Sequence, residues 1–328
     1  MSYALVTGGA GFIGSYVTDF LIDKGHNVIV IDDLSGGFKE NINKNAIFIE
    51  GSVTNTEFIE KIFNTYPIEY VFHLGAYAAE NLSHFIRKYN YENNLIGSIN
   101  MINNAIKHNI KCFVFTSSIA AYGEIPTPMK EEDSPNPCDP YGISKLTVEY
   151  DLKAAQKVFG LNFIIFRPHN VYGPRQNMED KYRNVVTIFT NQILQNKPIT
   201  IFGDGEQTRN FSYVKDVAQI MVNSIHVPEA YNNVFNIGSD DSISVNMLAN
   251  IIAKNLNANP KILHLRERKE VKHALADHTK IKKILKYTSS VSFEEGIAET
   301  IKWGKSVGTR KTKEFTNIEI KRNLPEGW

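Results

Sequence analysis

The chain has 328 residues, 42% of them hydrophobic and 22% charged, an ordinary globular balance with room for two domains at about 100–200 residues each. Its formal net charge of +1 sets up no global field for nucleic acid or an acidic membrane, and no apolar run approaches the roughly 20 residues of a bilayer-crossing helix. Two cysteines, Cys112 and Cys138, are too few for a disulfide framework or a Cys-rich metal site; free thiols in the cytoplasm, with no metal, are expected.

The opening residues pass straight into an apolar run with no basic leader. Strands are expected at 3–7, 27–31, 46–50, 70–74, 112–117 and 162–167, where β-branched and aromatic residues run without alternation. Such runs fit a parallel sheet covered on both faces. Helical patterns fall between them, at 11–24, 54–65, about 80–108 and 139–159, giving the βαβ rhythm of an α/β fold. After Pro174 the rhythm breaks into shorter mixed elements, with helices expected near 214–225, 245–256 and 293–303. The tail beyond Gly304 is polar and basic, and loose packing is expected of it.

Gly8, Gly11 and Gly14 stand in Val6-Thr7-Gly8-Gly9-Ala10-Gly11-Phe12-Ile13-Gly14, between the first strand and the first helix. Glycines at this spacing allow a tight turn and close approach of backbone to a pyrophosphate seated at the positive end of the helix. The second strand ends in Asp32, eighteen residues beyond Gly14. A carboxylate there accepts bonds from adenosine ribose hydroxyls and repels a 2′-phosphate. Asp33 can share that task. The pattern predicts NAD on a Rossmann sheet, a doubly wound parallel architecture, followed by a smaller, mixed α/β substrate domain.

Tyr141 and Lys145 are one helical turn apart, on one face. A phenol of pKa about 10 is a poor base, but a nearby ammonium and a cationic nicotinamide ring stabilise the phenolate. Thr116-Ser117-Ser118 close the preceding strand at the edge where α/β ligands bind, which places Ser118 to orient a reacting hydroxyl.

With these residues in place the chain resembles the extended short-chain dehydrogenase/reductases that act on nucleotide sugars. The resemblance also rests on His73-Leu74-Gly75-Ala76, Tyr122-Gly123 and Arg167-Pro168-His169-Asn170-Val171-Tyr172-Gly173-Pro174-Arg175. Phe202-Gly203-Asp204-Gly205, Arg209-Asn210-Phe211 and Phe235-Asn236-Ile237-Gly238 follow in the family's order, so that it spans about residues 1–305. It implies Ser118, Tyr141 and Lys145 as catalytic residues. Phe12, Ile13, Ser52, Val53, Leu74 and Ala76 are implied to join Asp32, Asp33 and the glycines around NAD. Asn170, Asn184, Val185, Arg209, Arg268 and Glu270 match positions that hold the nucleotide sugar. It further implies a discontinuous division, with 1–172 plus 213–236 holding the cofactor, 173–212 plus 237–310 the sugar nucleotide, and 311–328 a tail. Homodimers formed through the two long helices are implied as well.

Within that family the residues after the catalytic serine separate the chemistries. Dehydratases carry an Asp-Glu pair there and decarboxylases a nearby glutamate; here Ile119, Ala120 and Ala121 move no proton. C4 epimerisation of a UDP-hexose or UDP-N-acetylhexosamine, through a transient 4-keto sugar, is therefore expected. Four departures stand out. Ser52 replaces an adenine-contacting aspartate, Ala78 a lysine, Glu80 an apolar residue beside the sugar and His169 a frequent phenylalanine. Glu80 and His169 are either a helix-start carboxylate and a hydrogen-bonded histidine, or a substitute acid–base pair for a dehydratase or multi-centre epimerase. A 4-keto-sugar reductase and a non-catalytic NAD sensor are the other readings. Ala274, at a gate position, leaves room for an acetamido group.

Overall fold

The structure, a computed structural model, describes residues 2–183, 185–267 and 271–325. Seven strands form one parallel sheet: β1 (Tyr3–Thr7), β2 (Asn27–Asp32), β3 (Ile47–Glu50), β4 (Ile68–His73), β5 (Cys112–Thr116), β6 (Phe163–Pro168) and, after four short strands, β11 (Asn233–Ile237). The intervening strands are β7 (Val171–Tyr172), β8 (Ile199–Phe202), β9 (Thr208–Asn210) and β10 (Ser212–Tyr213). The large sheet has the order β3-β2-β1-β4-β5-β6-β11, so the winding reverses between β1 and β4. A ligand crevice opens outside the carboxyl ends at such a reversal.

Successive strand residues serve opposite faces. Ala4, Val6, Val28 and Val30 join one buried cluster, while Leu5, Ile29 and Ile31 join the other, which is why these strands are apolar without alternation. Helices α1 (Phe12–Asp23) and α7 (Val214–Ser224) cover the first face. The second is covered by α2 (Thr56–Thr65), α4 (Gly97–Lys107) and α5 (Pro140–Phe159). Between α7 and the end of the described chain lie α8 (Val245–Leu256), α9 (Thr279–Leu285) and α10 (Phe293–Val307). Ile281 and Leu285 of α9, with Tyr287, belong to the core of the large sheet.

A third cluster joins Phe189 and Ile193 of α6 (Val185–Leu194) to Leu248 of α8 and Ile297 of α10. Short sheets border it: β13 (Ile262–Leu265) on β8, and β12 (Ser242–Ser244) and β14 (His273–Ala274) on either side of β9. Local chemistry fixes the helix ends. Asp139 caps α5 by accepting from Gly142 N at 2.9 Å, and Gly160 closes it with a φ of 73°. Ser292 and Glu295 form a capping box on α10.

Two expectations change. The helix expected at 80–108 is broken into a 3₁₀ turn at Asn81–Phe85, α3 (Arg87–Tyr91), a π-helical turn at Glu92–Ile96, and α4. Ile86 departs from helical geometry at φ −134°, ψ 45°, and Asn94 in the π turn binds both Tyr77 N (2.8 Å) and Tyr77 O (3.1 Å). A tertiary contact thus accompanies the break in helical periodicity, which sequence spacing alone does not reveal. The tail, expected to be loose, packs. Phe315 lies 5.5 Å from the Tyr77 ring and 5.0 Å from the Tyr89 ring, and Glu319 accepts from Lys88 N and Tyr89 N, each at 2.8 Å. Phe315 and Ile318 are the tail's apolar anchors in a largely polar sequence.

Candidate active site

A cleft of about 800 Å³ runs along the carboxyl edge of the large sheet. At one end lie Gly8, Gly11, Phe12, Ile13, Gly14, Asp32, Asp33, Ser52, Val53, Leu74 and Ala76. A Cβ on Gly14 would stand 2.1 Å from Gly8 O, so only glycine lets the turn fold onto α1. Gly11 starts α1 with no side-chain cap, which leaves the helix's first N–H groups to a ligand anion. Asp32, buried at the end of β2, accepts from Ala10 N (3.0 Å) and Leu34 N (2.8 Å). Each oxygen keeps a further lone pair for a ribose hydroxyl. Asp33 accepts from Ser35 N at 2.9 Å. The Ser52 hydroxyl is bound to Thr54 at 2.9 Å. A bare glycine cradle, an uncapped helix start and a strand-end carboxylate fit a dinucleotide.

Midway along the cleft, the end of β5 and the start of α5 bring Ser118, Tyr141 and Lys145 to one wall. Gly142 makes this closeness available, since a Cβ there would lie 2.3 Å from Ala120 O. Lys145 Nζ donates to Thr116 O at 2.8 Å and lies 5.8 Å from the centre of the Tyr141 ring. Burial pushes the Lys145 ammonium down to about 7, against the pull of the Glu149 carboxylate. Burial also drives the Tyr141 phenol far above its ordinary range; the Ser118 hydroxyl lowers it, Glu80 and Asp139 raise it further, and Arg183 opposes them. The expected depression by Lys145 is thus not what governs the phenol in the protein alone. Desolvation wins.

The expected sugar-side residues are divided. Glu80, Asn170, Val185 and Arg209 line the cleft, as do Ala78 and Ala274. Asn170 Nδ2 donates to Asn210 O at 3.0 Å, and Arg209 donates to Thr208 O and Lys272 O at 2.8 and 3.0 Å. Asn184, Arg268 and Glu270 lie outside the described residues. His169 is absent from the cleft lining. It is fully buried, packed edge-on against His278 at 5.1 Å, and neither ring nitrogen has a hydrogen-bond partner among the described residues. Its backbone explains the placement: His169 N donates to Ile237 O, which ties it to β11. The hydrogen-bonded histidine of one reading and the acid–base partner of the other are both at odds with this geometry. His73 is a strut, bound to Thr7 Oγ1 at 2.7 Å and Ser98 Oγ at 2.9 Å.

Sequence patterning passes over two further features. Arg167 and Glu149 form a buried pair (2.9 and 2.6 Å) that anchors α5 to β6, with Ser117 Oγ donating to the same carboxylate at 2.5 Å. Their separation in sequence hides the pairing. Asp180, Lys181 and Arg183, on the loop before α6, also line the cleft, and their charges are part of no periodic element. Among the described residues no group of three His, Cys, Asp or Glu could hold a metal.

A parallel sheet with a dinucleotide turn at its switch point, and a buried Tyr and Lys with a half-buried Ser beside it, defines a nicotinamide-dependent enzyme of the short-chain type. Residues 4–238 match the NAD dependent epimerase/dehydratase family, and the chain belongs to it. Its cofactor is NAD. The chain is 35% identical to a putative UDP-glucose 4-epimerase of Methanocaldococcus jannaschii, over 92% of this chain and 98% of that protein. It superposes on the UDP-glucose 4-epimerase of Thermotoga maritima, solved with UDP-glucose, at TM-score 0.90 and 38% identity, covering 94% of this chain and 99% of the other. The UDP-N-acetylglucosamine 4-epimerase of Methanobrevibacter ruminantium, in complex with UDP-N-acetylmuramic acid, matches at TM-score 0.87 and 36% identity, covering 93% and 98%.

Proposed function

We propose that the chain is a UDP-sugar 4-epimerase acting on a UDP-hexose or UDP-N-acetylhexosamine through a transient 4-keto sugar. The observation that carries the reading is the cleft wall itself, where Ser118, Tyr141 and Lys145 meet beside Ile119 and Ala120, which move no protons. Bound NAD supplies the reversible two-electron oxidation at sugar C4. Tyr141 removes the proton of the 4-hydroxyl and later returns it, and Ser118 holds that hydroxyl toward the phenol. Lys145 fixes the wall through Thr116 O and favours the phenolate once it forms. Asn170, Val185 and Arg209, with Asn184, Arg268 and Glu270, hold the diphosphate and sugar. The fork of Arg209 suits the diphosphate. Ala78 and Ala274 leave space for the keto sugar to turn over and for a 2-acetamido group.

The dehydratase reading loses one of its two groups, since His169 lies outside the cleft lining while Glu80 stays within it. Incubation with UDP-glucose and UDP-N-acetylglucosamine, without added cofactor, followed by mass spectrometry and NMR, tests the choice. A product of unchanged mass inverted at C4 is expected; one lighter by a water overturns it. We also place the enzyme in the cytoplasm as a homodimer. The exposed Ile96, Ile143 and Tyr150, on the π turn and α5, form its dimer face.

A further inference from the structure

The loop between β7 and α6 carries a cation whose partner is incomplete. Arg183 Nε donates to Asp180 Oδ2 at 2.6 Å, and Asp180 also accepts from Tyr182 N at 2.8 Å, so the loop braces itself. The guanidinium carbon lies 5.0 Å from the centre of the Tyr77 ring. The side chain is 18% exposed, and its two terminal nitrogens meet no protein acceptor among the described residues. A half-used guanidinium fork in a cleft is a ready site for an anion, because its planar N–H groups match phosphate or carboxylate oxygens.

Position selects the anion. A Cβ on Gly36 would lie 3.1 Å from an Arg183 terminal nitrogen. One residue on, a Cβ on Gly37 would lie 2.7 Å from the Ala10 carbonyl carbon, and Phe38 N donates to Ala10 O at 3.0 Å. Arg183 therefore abuts the loop that flanks the glycine turn, where the uncapped start of α1 offers N–H groups to a pyrophosphate. Those groups supply partial charges from one side; Arg183 supplies a full charge close to the same place. The tail holds this loop down: Lys313 N donates to Glu179 O at 2.8 Å, and Phe315 N donates to Tyr182 Oη at 3.2 Å.

We propose that Arg183 is a clamp on the NAD pyrophosphate, reaching from the loop before α6 to close the cofactor against the glycine turn. The inference rests on the NAD dependence of the family and not on which sugar is turned over. Calorimetry on the full chain freed of cofactor compares wild type with Arg183→Gln and Arg183→Lys. Arg183→Gln should weaken NAD and ADP-ribose about ten- to a hundredfold, the loss of a charge-assisted bond. Adenosine and UDP should bind as before. Arg183→Lys, which keeps the charge and loses the fork, should fall between. Unchanged NAD and ADP-ribose binding in a folded Arg183→Gln overturns the clamp, as does a loss confined to UDP-glucuronate, which would assign the cation to a sugar acid. No turnover is needed, so an enzyme that fails to invert C4 leaves this test intact.

Discussion

At Tyr141 burial and the proposed role as a base pull in opposite directions. Desolvation keeps the phenol protonated in the protein alone, so its proposed use as a base would depend on the positive charge that a bound nicotinamide ring supplies. Tyr141→Phe should lower turnover by about 10²–10⁴-fold, the usual contribution of a positioned acid–base group, while the NAD content of the purified protein stays unchanged. Retained activity would remove Tyr141 from the mechanism. His169 offers a separate, structural test. Burial and the neighbouring His278 depress its pKa, and burial brings His73 down to about 3. As pH falls below the ordinary histidine value of about 6.5, the unfolded chain takes up protons that these buried rings refuse, so stability falls. For His73 that loss continues to about pH 3. His169→Phe gives up no hydrogen bond, and its melting temperature should drop less than that of wild type between about pH 7.5 and about pH 5. Equal drops would show that His169 does not titrate on unfolding.

At the scale of elements, α5 and the tail do most of the positioning. The Arg167–Glu149 pair holds α5 to β6 with both side chains almost completely buried. Glu149→Gln leaves a buried guanidinium without its counter-charge and should cost about 3–5 kcal/mol, read as a fall in the denaturant midpoint at unchanged slope. The tail has a lesser, local role. Phe315 is only half-buried among Tyr77, Tyr89 and Tyr182, so Phe315→Ala should cost about 1–2 kcal/mol. Amide exchange should then quicken at residues 179–183 before anywhere in the large sheet. The broken helix after residue 80 belongs to the same scale: Ile86 leaves helical dihedrals, and the Asn94 side chain in the π turn holds the Tyr77 wall of the cleft through Tyr77 N and O, as π turns at functional sites often do.

For the whole molecule, the exposed apolar side chains bear on assembly. Ile143 and Tyr150 lie seven residues apart on the outer face of α5, 38% and 54% exposed, with Ile96 50% exposed on the π turn. Light scattering should find twice the chain's 37.1 kDa, and Tyr150→Glu should shift it toward the single chain by placing a charge in an apolar interface. A wild-type monomer would refute the pairing. The sequence by itself determined the parallel sheet, the glycine turn, Asp32 and the Tyr141–Lys145 spacing, because each is a local pattern: apolar runs, a turn that only glycine permits, a strand end, one turn of helix. It could not place His169, whose neighbours in sequence line the cleft while its own ring lies against His278. Nor could it pair Glu149 with Arg167, dock the tail through Phe315, or bring Arg183 beside Gly36. Those contacts join residues distant in the chain, and only the packing of the folded protein sets which face each side chain presents.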